Sequence, residues 1–354
     1  SAHSRARPIF GRRALKFGTF IFPAAGDPRD DGRIIDYALG EAIRSEALGM
    51  DAVWLAEHHF DGMCAYVDPM VFAGALARAT ERVAIGFAVA QASLHHPLRL
   101  AEQLNLLDHL CHGRFIAGLG KGSMYNDYEY EAFEIAPGDA GARFDEIEEI
   151  IFKCWAGGRV AHRGRFWNFD IPALRPLPFT RPHPRLLRAV GSEASTIKHA
   201  KTGRPFLLAG PMEFVLGRAA LIRRTMAESG FDAAHIDAAF AQSWAWQHVV
   251  VADSDREAHR RGMAAVQAHI DYRDALGLTS TLAGILRAGI AQGGPPRGYI
   301  FGAPATVAEQ LGAFNTSGLG GLILRFDIGP HGEATARASR ELFAREVAPR
   351  LRAA

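Results

Sequence analysis

Two adjacent histidines after a short apolar run are the residues of this chain best suited to moving a proton. Residues 52–56 are apolar, and Glu57, His58 and His59 follow directly. Imidazole titrates near neutral pH, so either histidine has the chemistry of a general acid or base. A brief apolar run that follows Gly49 and ends at charge is typical of a buried strand in a parallel sheet. The competing interpretation is a strand end whose polar groups only satisfy loop backbone.

A second group of residues has the composition of an anion-binding turn. Residues 191–196 read Gly-Ser-Glu-Ala-Ser-Thr, and we expect a helix to begin at Ser195. Small and hydroxyl-bearing residues at a helix N-terminus offer backbone N–H groups and the positive end of the helix dipole, which suits a phosphate. Lys121 lies between two glycines and could supply a countercharge. An ordinary helix cap beside a surface lysine is the alternative.

The segments around these residues alternate between strand-like and helix-like patterns. We predict strands at residues 15–22, 52–56, 83–90, 115–119, 186–191, 206–209, 244–252 and 322–326. Eight strands alternating with helices predict a single (β/α)8 TIM barrel, an α/β fold. The extra length lies after strand four, before strand five (a hairpin at 159–169) and before strand eight. A doubly wound sheet is less favoured, because no Gly-x-Gly-x-x-Gly follows the first strand.

The domain organisation follows from the same pattern. Residues 1–14 are expected to be a flexible lead-in, and residues 15–354 a single barrel domain. Residues 276–296 are Gly-rich and loosely patterned, and we interpret them as a mobile insertion or lid.

Composition excludes several classes of function. The 354 residues carry a formal charge of only +2 and no Lys/Arg block, which argues against a nucleic-acid partner. No apolar run approaches the ~20 residues of a membrane span, and no signal peptide is recognisable. Three widely spaced cysteines form neither a metal pattern nor a disulfide framework, so we expect no metal and a cytoplasmic location.

In a barrel the predicted site groups meet, because the C-terminal ends of parallel strands gather at one mouth. Residues 57–59 follow strand two, 88–91 follow strand three, 120–123 follow strand four and 191–196 follow strand five. The sequence therefore predicts one pocket shared by the histidines and the anion-binding turn.

Several motifs resemble those of the bacterial luciferase-like flavin monooxygenases. Residues 54–60 (WLAEHHF), 96–103 (HPLRLAEQ), 191–196 (GSEAST), 302–307 (GAPATV) and 322–326 (LILRF) carry the resemblance. It implies a barrel, usually dimeric, that takes reduced FMN from a separate reductase. O2 would add at the flavin 4a carbon to give a (hydro)peroxide, which oxidises an aldehyde or ketone or hydroxylates a carbon of a small organic substrate.

The resemblance also implies roles for single residues. His58 matches the catalytic histidine, expected to shuttle protons. Ala88 and Val89 match a cis peptide beneath the flavin ring, and Lys121 stands where the family often has a phosphate-contacting arginine. His59 and Glu102 match residues that meet across the subunit interface of a homodimer or paralogue heterodimer.

In the turn, Gly191, Ser192, Glu193, Ser195 and Thr196 are expected to bind the FMN phosphate. Glu193 departs from the family, which often has serine there; its carboxylate would repel phosphate, so we expect only its backbone N–H to face the ligand. Gly120 replaces a cysteine of the light-emitting members, which removes any reason to expect luminescence.

Three alternatives remain at this stage. One keeps the fold but uses a deazaflavin for hydride transfer, and another is a non-catalytic flavin-binding subunit. The third is a metal-dependent hydrolase using His58, His59, His95 and His96, which is disfavoured because adjacent strand residues point to opposite faces. Trp244, Trp246, Tyr125 and Tyr128 are candidates for the pocket wall.

Overall fold

Eight parallel strands close into a barrel, as the sequence predicts. The computed structural model describes residues 15–60, 66–122, 126–277, 281–291, 295–330 and 332–353. Its strands are β1 (Lys16–Phe20), β2 (Ala52–Leu55), β3 (Ala84–Phe87), β4 (Ala90–Gln91), β5 (Phe115–Gly120), β6 (Val160–Arg163), β7 (Asn168–Ile171), β8 (Arg185–Ala189), β9 (Phe206–Ala209), β10 (Trp244–Val251), β11 (Tyr299–Gly302) and β12 (Gly321–Arg325). The order β1-β2-β3-β5-β8-β9-β10-β12 returns to β1, and every pairing along it is parallel.

Helices surround this barrel in alternation with the strands. They are α1 (Asp31–Ala47), α2 (Pro69–Ala79), α3 (Pro97–Leu110), α4 (Asp127–Ala132), α5 (Ala140–Ala156), α6 (Glu193–Ala200), α7 (Met212–Glu228), α8 (Ala233–Phe240), α9 (Asp255–Ala275), α10 (Thr281–Ala291), α11 (Pro304–Gly312), α12 (Glu333–Leu342) and α13 (Ala348–Ala353), with a π-helical turn, Phe343–Val347, before α13. The α2 start follows local chemistry: the Asp68 carboxylate accepts from Met70 N, and Pro69 occupies the first turn.

Two tryptophans fill the lower barrel interior. Trp54 on β2 and Trp244 on β10 are almost completely buried, and their rings meet edge to face with centroids 5.0 Å apart. Glycines on the neighbouring strands make the room: a Cβ at Gly18 or Gly86 would lie 2.3 or 2.5 Å from atoms of the Trp54 ring. Trp244 is therefore a core residue rather than part of a pocket wall.

Several element boundaries differ from the sequence predictions. Strand three is shorter than the predicted 83–90 and resumes as β4, which pairs with β5. The α6 helix is capped by Ser192, three residues before the predicted start at Ser195. The short helix α8 was not predicted. The hairpin before strand five is present as antiparallel β6 and β7.

The predicted lid segment contains regular structure. Residues 281–291 form α10, and Leu286 is buried in a cluster with Val266 and Ile270 of α9. Residues 278–280 and 292–294, like the predicted lead-in 1–14, lie outside the described residues, and the lid role stays a prediction. In the described part of the chain, no helix has both the length and the apolar character needed to cross a bilayer.

Buried histidines predict a loss of stability in acid. Burial lowers the pKa of His199 on α6 to about 4 and, with Arg325 and Arg273 contributing, that of His269 on α9 to about 3. The unfolded chain takes up these protons near pH 6.5, so the stabilisation is complete above that pH and is lost as pH falls through the folded-state values. We expect His199 alone to cost roughly 3 kcal/mol of unfolding free energy between pH 7 and pH 4.

Urea denaturation at fixed ionic strength across this range measures the slope. In a His199→Gln variant, whose amide can still donate to Pro205 O as the imidazole Nε2 does over 3.0 Å, the slope should become shallower. An unfolding free energy that stays constant from pH 7 to pH 4 would contradict the expectation.

Candidate active site

The predicted site residues lie at one end of the barrel. His58 follows β2, Val89 follows β3, Lys121 follows β5 and Ser192 follows β8. These four strands are consecutive in the barrel and parallel, so the segments after them share the C-terminal mouth. The topology thus brings the histidine and the hydroxyl-rich turn to the same rim.

A buried carboxylate from α4 holds His58. The Nδ1 atom of His58 lies 3.0 Å from Oε1 of Glu129, whose side chain is completely buried. The same Glu129 oxygen accepts from His59 N at 3.0 Å, and Oε2 accepts from Gln91 Nε2 at 2.6 Å. With this much hydrogen bonding to the carboxylate, its orientation and that of the imidazole are fixed.

The arrangement selects one tautomer of His58. Burial by itself raises the pKa of Glu129, but the hydrogen bonds from His58, Gln91 and the His59 backbone outweigh it and lower that pKa. An ionised Glu129 can only accept, so His58 Nδ1 carries the proton. Nε2 is then the basic nitrogen, and the side chain is 29 % exposed at the mouth. This is the geometry of a group that exchanges protons with a ligand.

Glu57 has a structural role at the barrel mouth. Its carboxylate is buried and accepts from Gln91 N at 2.7 Å, His59 Nε2 at 3.0 Å and His95 Nε2 at 2.8 Å. Burial raises the pKa of Glu57, yet these hydrogen bonds bring it down to about 2. The carboxylate therefore ties the strand-two and strand-three loops together. Across the described residues, no group of three or more His, Cys, Asp or Glu side chains is arranged to hold a metal ion.

The segment after β3 has the backbone geometry that the resemblance implies. The Ala88–Val89 peptide bond is cis, and both residues are half-buried. Gly120 packs against Val89 so closely that a Cβ would lie 2.7 Å from Val89 Cγ2. A cysteine at this position, as in light-emitting members, would not fit without movement of Val89.

The turn after β8 is a well-formed helix N-terminus. Ser192 caps α6 by accepting from Ser195 N, and the two hydroxyls lie 3.0 Å apart. Gly191 and Ser192 are exposed, whereas Thr196 is completely buried and donates its hydroxyl to Ser192 O at 2.8 Å. Exposed N–H groups and hydroxyls at the turn match the donors that a phosphate requires.

Family comparison confirms the resemblance that these motifs indicate. The model of the luciferase-like monooxygenases matches residues 15–320. The chain belongs to the luciferase-like monooxygenase family. It is 31 % identical to limonene 1,2-monooxygenase of Rhodococcus erythropolis, over 48 % of this chain and 43 % of that protein. It is 27 % identical to the oxygenase component of the flavin-dependent trigonelline monooxygenase of Acinetobacter baylyi, over 48 % and 47 %. The matched segment spans about half the length of these curated relatives.

Solved structures of similar fold cover nearly the whole chain. The monooxygenase RslO1 from Streptomyces bottropensis superposes with a TM-score of 0.80 and 26 % identity, over 95 % of this chain and 99 % of that chain. Two further structures share the fold. One is the FMN-bound oxygenating constituent of 3,6-diketocamphane monooxygenase from Pseudomonas putida, with a TM-score of 0.75 and 19 % identity over 95 % of this chain and 98 % of that chain. The other is an F420-dependent secondary alcohol dehydrogenase, with a TM-score of 0.72 and 15 % identity over 96 % and 99 %.

Glu193, the residue that departs from the family, is held by an arginine. Its carboxylate lies 3.1 Å from Nη1 of Arg218 on α7, and the Glu193 side chain is 69 % exposed while that of Arg218 is 18 % exposed. Arg218 therefore offsets part of the negative charge at the turn. Lys121 is exposed after β5, and because Leu119 pairs with Arg188, it lies beside the start of the turn.

If the turn binds the phosphate of FMN, as we propose below, Glu193→Ser should tighten FMN binding about fivefold at low salt. Removing one negative charge near the phosphate is worth about 1 kcal/mol at a solvated site, and the gain should shrink as salt screens it. Fluorescence titration with FMN at two ionic strengths measures the change. Glu228→Ser is the matched control, because Glu228 is similarly exposed and paired with Arg224. Weaker binding in Glu193→Ser would show that Glu193 acts by positioning Arg218.

Sequence reasoning missed two residues of this site. Glu129 belongs to the run Asp127-Tyr128-Glu129-Tyr130-Glu131, where nothing in residue type distinguishes it from its neighbours. Arg218 lies on a helix distant in sequence from the turn it meets. Trp246 is half-buried near the mouth, Tyr128 is half-buried on α4, and Tyr125 lies outside the described residues.

Proposed function

We propose that this chain is the oxygenase of a two-component system that uses reduced FMN, supplied by a separate reductase, and O2 to oxygenate a small organic substrate. The observation that carries the proposal is the His58–Glu129 pair at the same barrel mouth as the Ser192-capped turn. The membership of the luciferase-like family and the flavin-dependent relative support the choice of cofactor.

The residues at the mouth fit a flavin phosphate. The backbone N–H groups of Glu193 and Ala194 at the start of α6, with the Ser192 and Ser195 hydroxyls, would bind its oxygens. Lys121 would add positive charge as a point contact, without the two-pronged grip of arginine. The buried Thr196 hydroxyl would shape the turn through Ser192 O instead of touching the phosphate. Ala88 and Val89 would lie beneath the flavin ring.

Reduced FMN, once bound, supplies the electrons with which O2 is activated. The protein itself contributes proton transfer. His58 Nε2 gives or takes a proton at the reacting oxygen, and Glu129 stabilises the imidazolium that results. Because Glu129 is completely buried, its effect on His58 is little screened by solvent.

The Glu129→Gln variant should lower turnover about 10- to 100-fold through His58. A neutral amide can satisfy neighbouring groups by hydrogen bonding but no longer stabilises the protonated imidazole. The pH at which His58 titrates should therefore fall, which NMR of the ring measures directly. Glu131→Gln, a neighbouring α4 residue that is exposed, is the control. A pKa of His58 unchanged in Glu129→Gln would contradict the assignment.

Reductase, assembly and location are part of the same proposal. We propose a cytoplasmic homodimer, or heterodimer with a paralogue, formed through the surface that carries Glu102. This residue is exposed on α3, with Leu106 on the same helix 52 % exposed and Val71 on α2 74 % exposed. Within the chain His59 Nε2 binds Glu57, so a contact of His59 with a partner subunit would use Nδ1. Sedimentation analysis of Leu106→Glu, expected to be monomeric, tests the surface.

Anaerobic titration tests the cofactor. The purified chain should bind photoreduced FMN at least tenfold more tightly than reduced F420. When the reduced complex is mixed with O2 and candidate aldehydes or ketones, the yield of oxygenated product should rise and the yield of free hydrogen peroxide should fall. Tighter binding of F420, with hydride transfer in place of oxygen consumption, would favour the deazaflavin alternative. Flavin binding without any turnover would indicate a non-catalytic subunit.

A further inference from the structure

An arginine projects into the barrel mouth on the side opposite the turn formed by residues 191–196. Arg325 is the last residue of β12, in register with Phe20 of β1 and His248 of β10. Its guanidinium carbon lies 5.7 Å from the Phe20 ring centroid and 5.3 Å from that of Phe22. The side chain is 13 % exposed, so a charge in this position is largely removed from water.

The guanidinium is only partly engaged. Its Nε donates to Asp327 O at 2.7 Å and lies 3.4 Å from Asp327 Oδ1. Within the described parts of the chain, its Nη1 and Nη2 atoms have no hydrogen-bond partner. Since an arginine offers five N–H groups in a planar fork, most of its donor capacity has no acceptor among the described residues.

A second donor without an acceptor lies beside the same Phe20 ring. The Trp246 ring lies against His248 (centroids 4.3 Å apart) and against Phe20 (5.7 Å). Its indole Nε1 is buried and has no hydrogen-bond partner among the described residues. A buried N–H without an acceptor is costly, and a ligand that supplies one removes that cost.

Two other buried ionisable groups, His248 and Asp327, lie close to Arg325. Burial, reinforced by Arg325 and His269, lowers the pKa of His248 well below its usual value, and burial raises the pKa of Asp327 although Arg325 opposes this. The Asp327 carboxylate also accepts from Phe22 N at 2.9 Å, which fixes the aromatic floor of the site.

We propose that the substrate is a small organic carboxylate whose anionic group binds Arg325 and the Trp246 indole N–H. This inference rests on the proposed function, because it assigns the substrate class of that same mouth. Phe22 connects the two parts: its ring lies 5.4 Å from the His58 ring and in contact with Arg325. A carboxylate held at Arg325 would place the rest of a small molecule along Phe22, with its far end at His58.

Binding of matched acids and amides tests the proposal without activity. The probes are benzoate, cyclohexanecarboxylate and hexanoate, each against its primary amide, titrated calorimetrically into the full chain at constant ionic strength. We expect the acid to bind at least tenfold more tightly than its amide. Arg325→Gln should abolish this preference, and Arg325→Lys, which keeps the charge, should retain part of it. Arg224→Gln, at an exposed arginine of α7, should leave it unchanged.

Three results would overturn the inference: equal affinity for acid and amide, a preference that survives in Arg325→Gln, or no binding of any acid up to about 10 mM. FMN titration of the same samples separates this from the proposed function. If the wild-type chain binds FMN but does not prefer the acids to their amides, only the substrate class is wrong. If the wild-type chain does not bind FMN at all, the proposed function is wrong. If Arg325→Gln weakens reduced FMN tenfold and keeps the acid preference, Arg325 faces the flavin instead.

Discussion

Replacing His58 by alanine is expected to lower turnover by about 10²- to 10⁴-fold while the affinity for reduced FMN stays within a few-fold of wild type. His58 is paired with a completely buried carboxylate and is itself partly open to solvent. Under the proposed function, its loss removes the proton exchange and leaves every group of the 191–196 turn in place. Single-turnover kinetics with preloaded reduced FMN separates the two quantities.

A control histidine distinguishes this from a general effect on the fold. His259 lies on α9, where its ring packs against Phe301 of β11. His259→Gln should keep turnover near the wild-type value. Unchanged turnover in His58→Ala, or an equal loss in both variants, would reject the assignment of His58. Restored activity with added imidazole would strengthen it.

Substituting Gly118 by alanine should lower the free energy of unfolding more than the same substitution at the other glycines that the structure describes. Gly118 on β5 lies directly against the end of β3, and a Cβ would fall 1.6 Å from the backbone oxygen of Phe87. Backbone atoms in a closed barrel cannot move aside independently, so the strands must separate locally. We expect a loss of at least about 4 kcal/mol in unfolding free energy, or failure to fold. Urea and thermal denaturation measure it.

The same change at another glycine provides the reference. Gly141 lies in α5, and a Cβ there would meet no atom within 4 Å. Gly141→Ala should be neutral or stabilising by up to about 1 kcal/mol, because alanine loses less backbone entropy in a helix. If Gly118→Ala denatured at the same urea concentration as Gly141→Ala, the close packing of β3 on β5 would be wrong.

The barrel could be predicted because its signals are local. Apolar runs such as 52–56 and 206–209, separated by helical spacings and caps such as Asp68-Pro69, fix the order of strands and helices. The start of α6 could not be fixed from the sequence, because Ser192 and Ser195 are both residues that favour the capping position. Helix α10 was missed because its glycines and the prolines after it resemble a loop.

The site was predictable only where a motif carried it. His58 and the 191–196 turn were proposed as site residues from residue type and resemblance. Glu129 and Arg218 could not be found, since each acts through a contact between elements that no local pattern records. The sequence indicated Arg325 only as part of the LILRF motif. That its Nη atoms lack hydrogen-bond partners among the described residues follows from the packing of β1, β10 and β12, which the sequence does not show.

Closure of the barrel has a consequence for how the chain is made. β1 pairs with β12 along five residues, from Lys16 with Gly321 to Phe20 with Arg325. On the ribosome, β1 emerges long before β12, so one edge of the growing sheet stays unpaired for most of translation. Exposed apolar edges recruit wrong partners. Fragments that stop before β12 should therefore accumulate as chaperone-bound or insoluble material, and productive folding should begin only after nearly the whole chain has been synthesised.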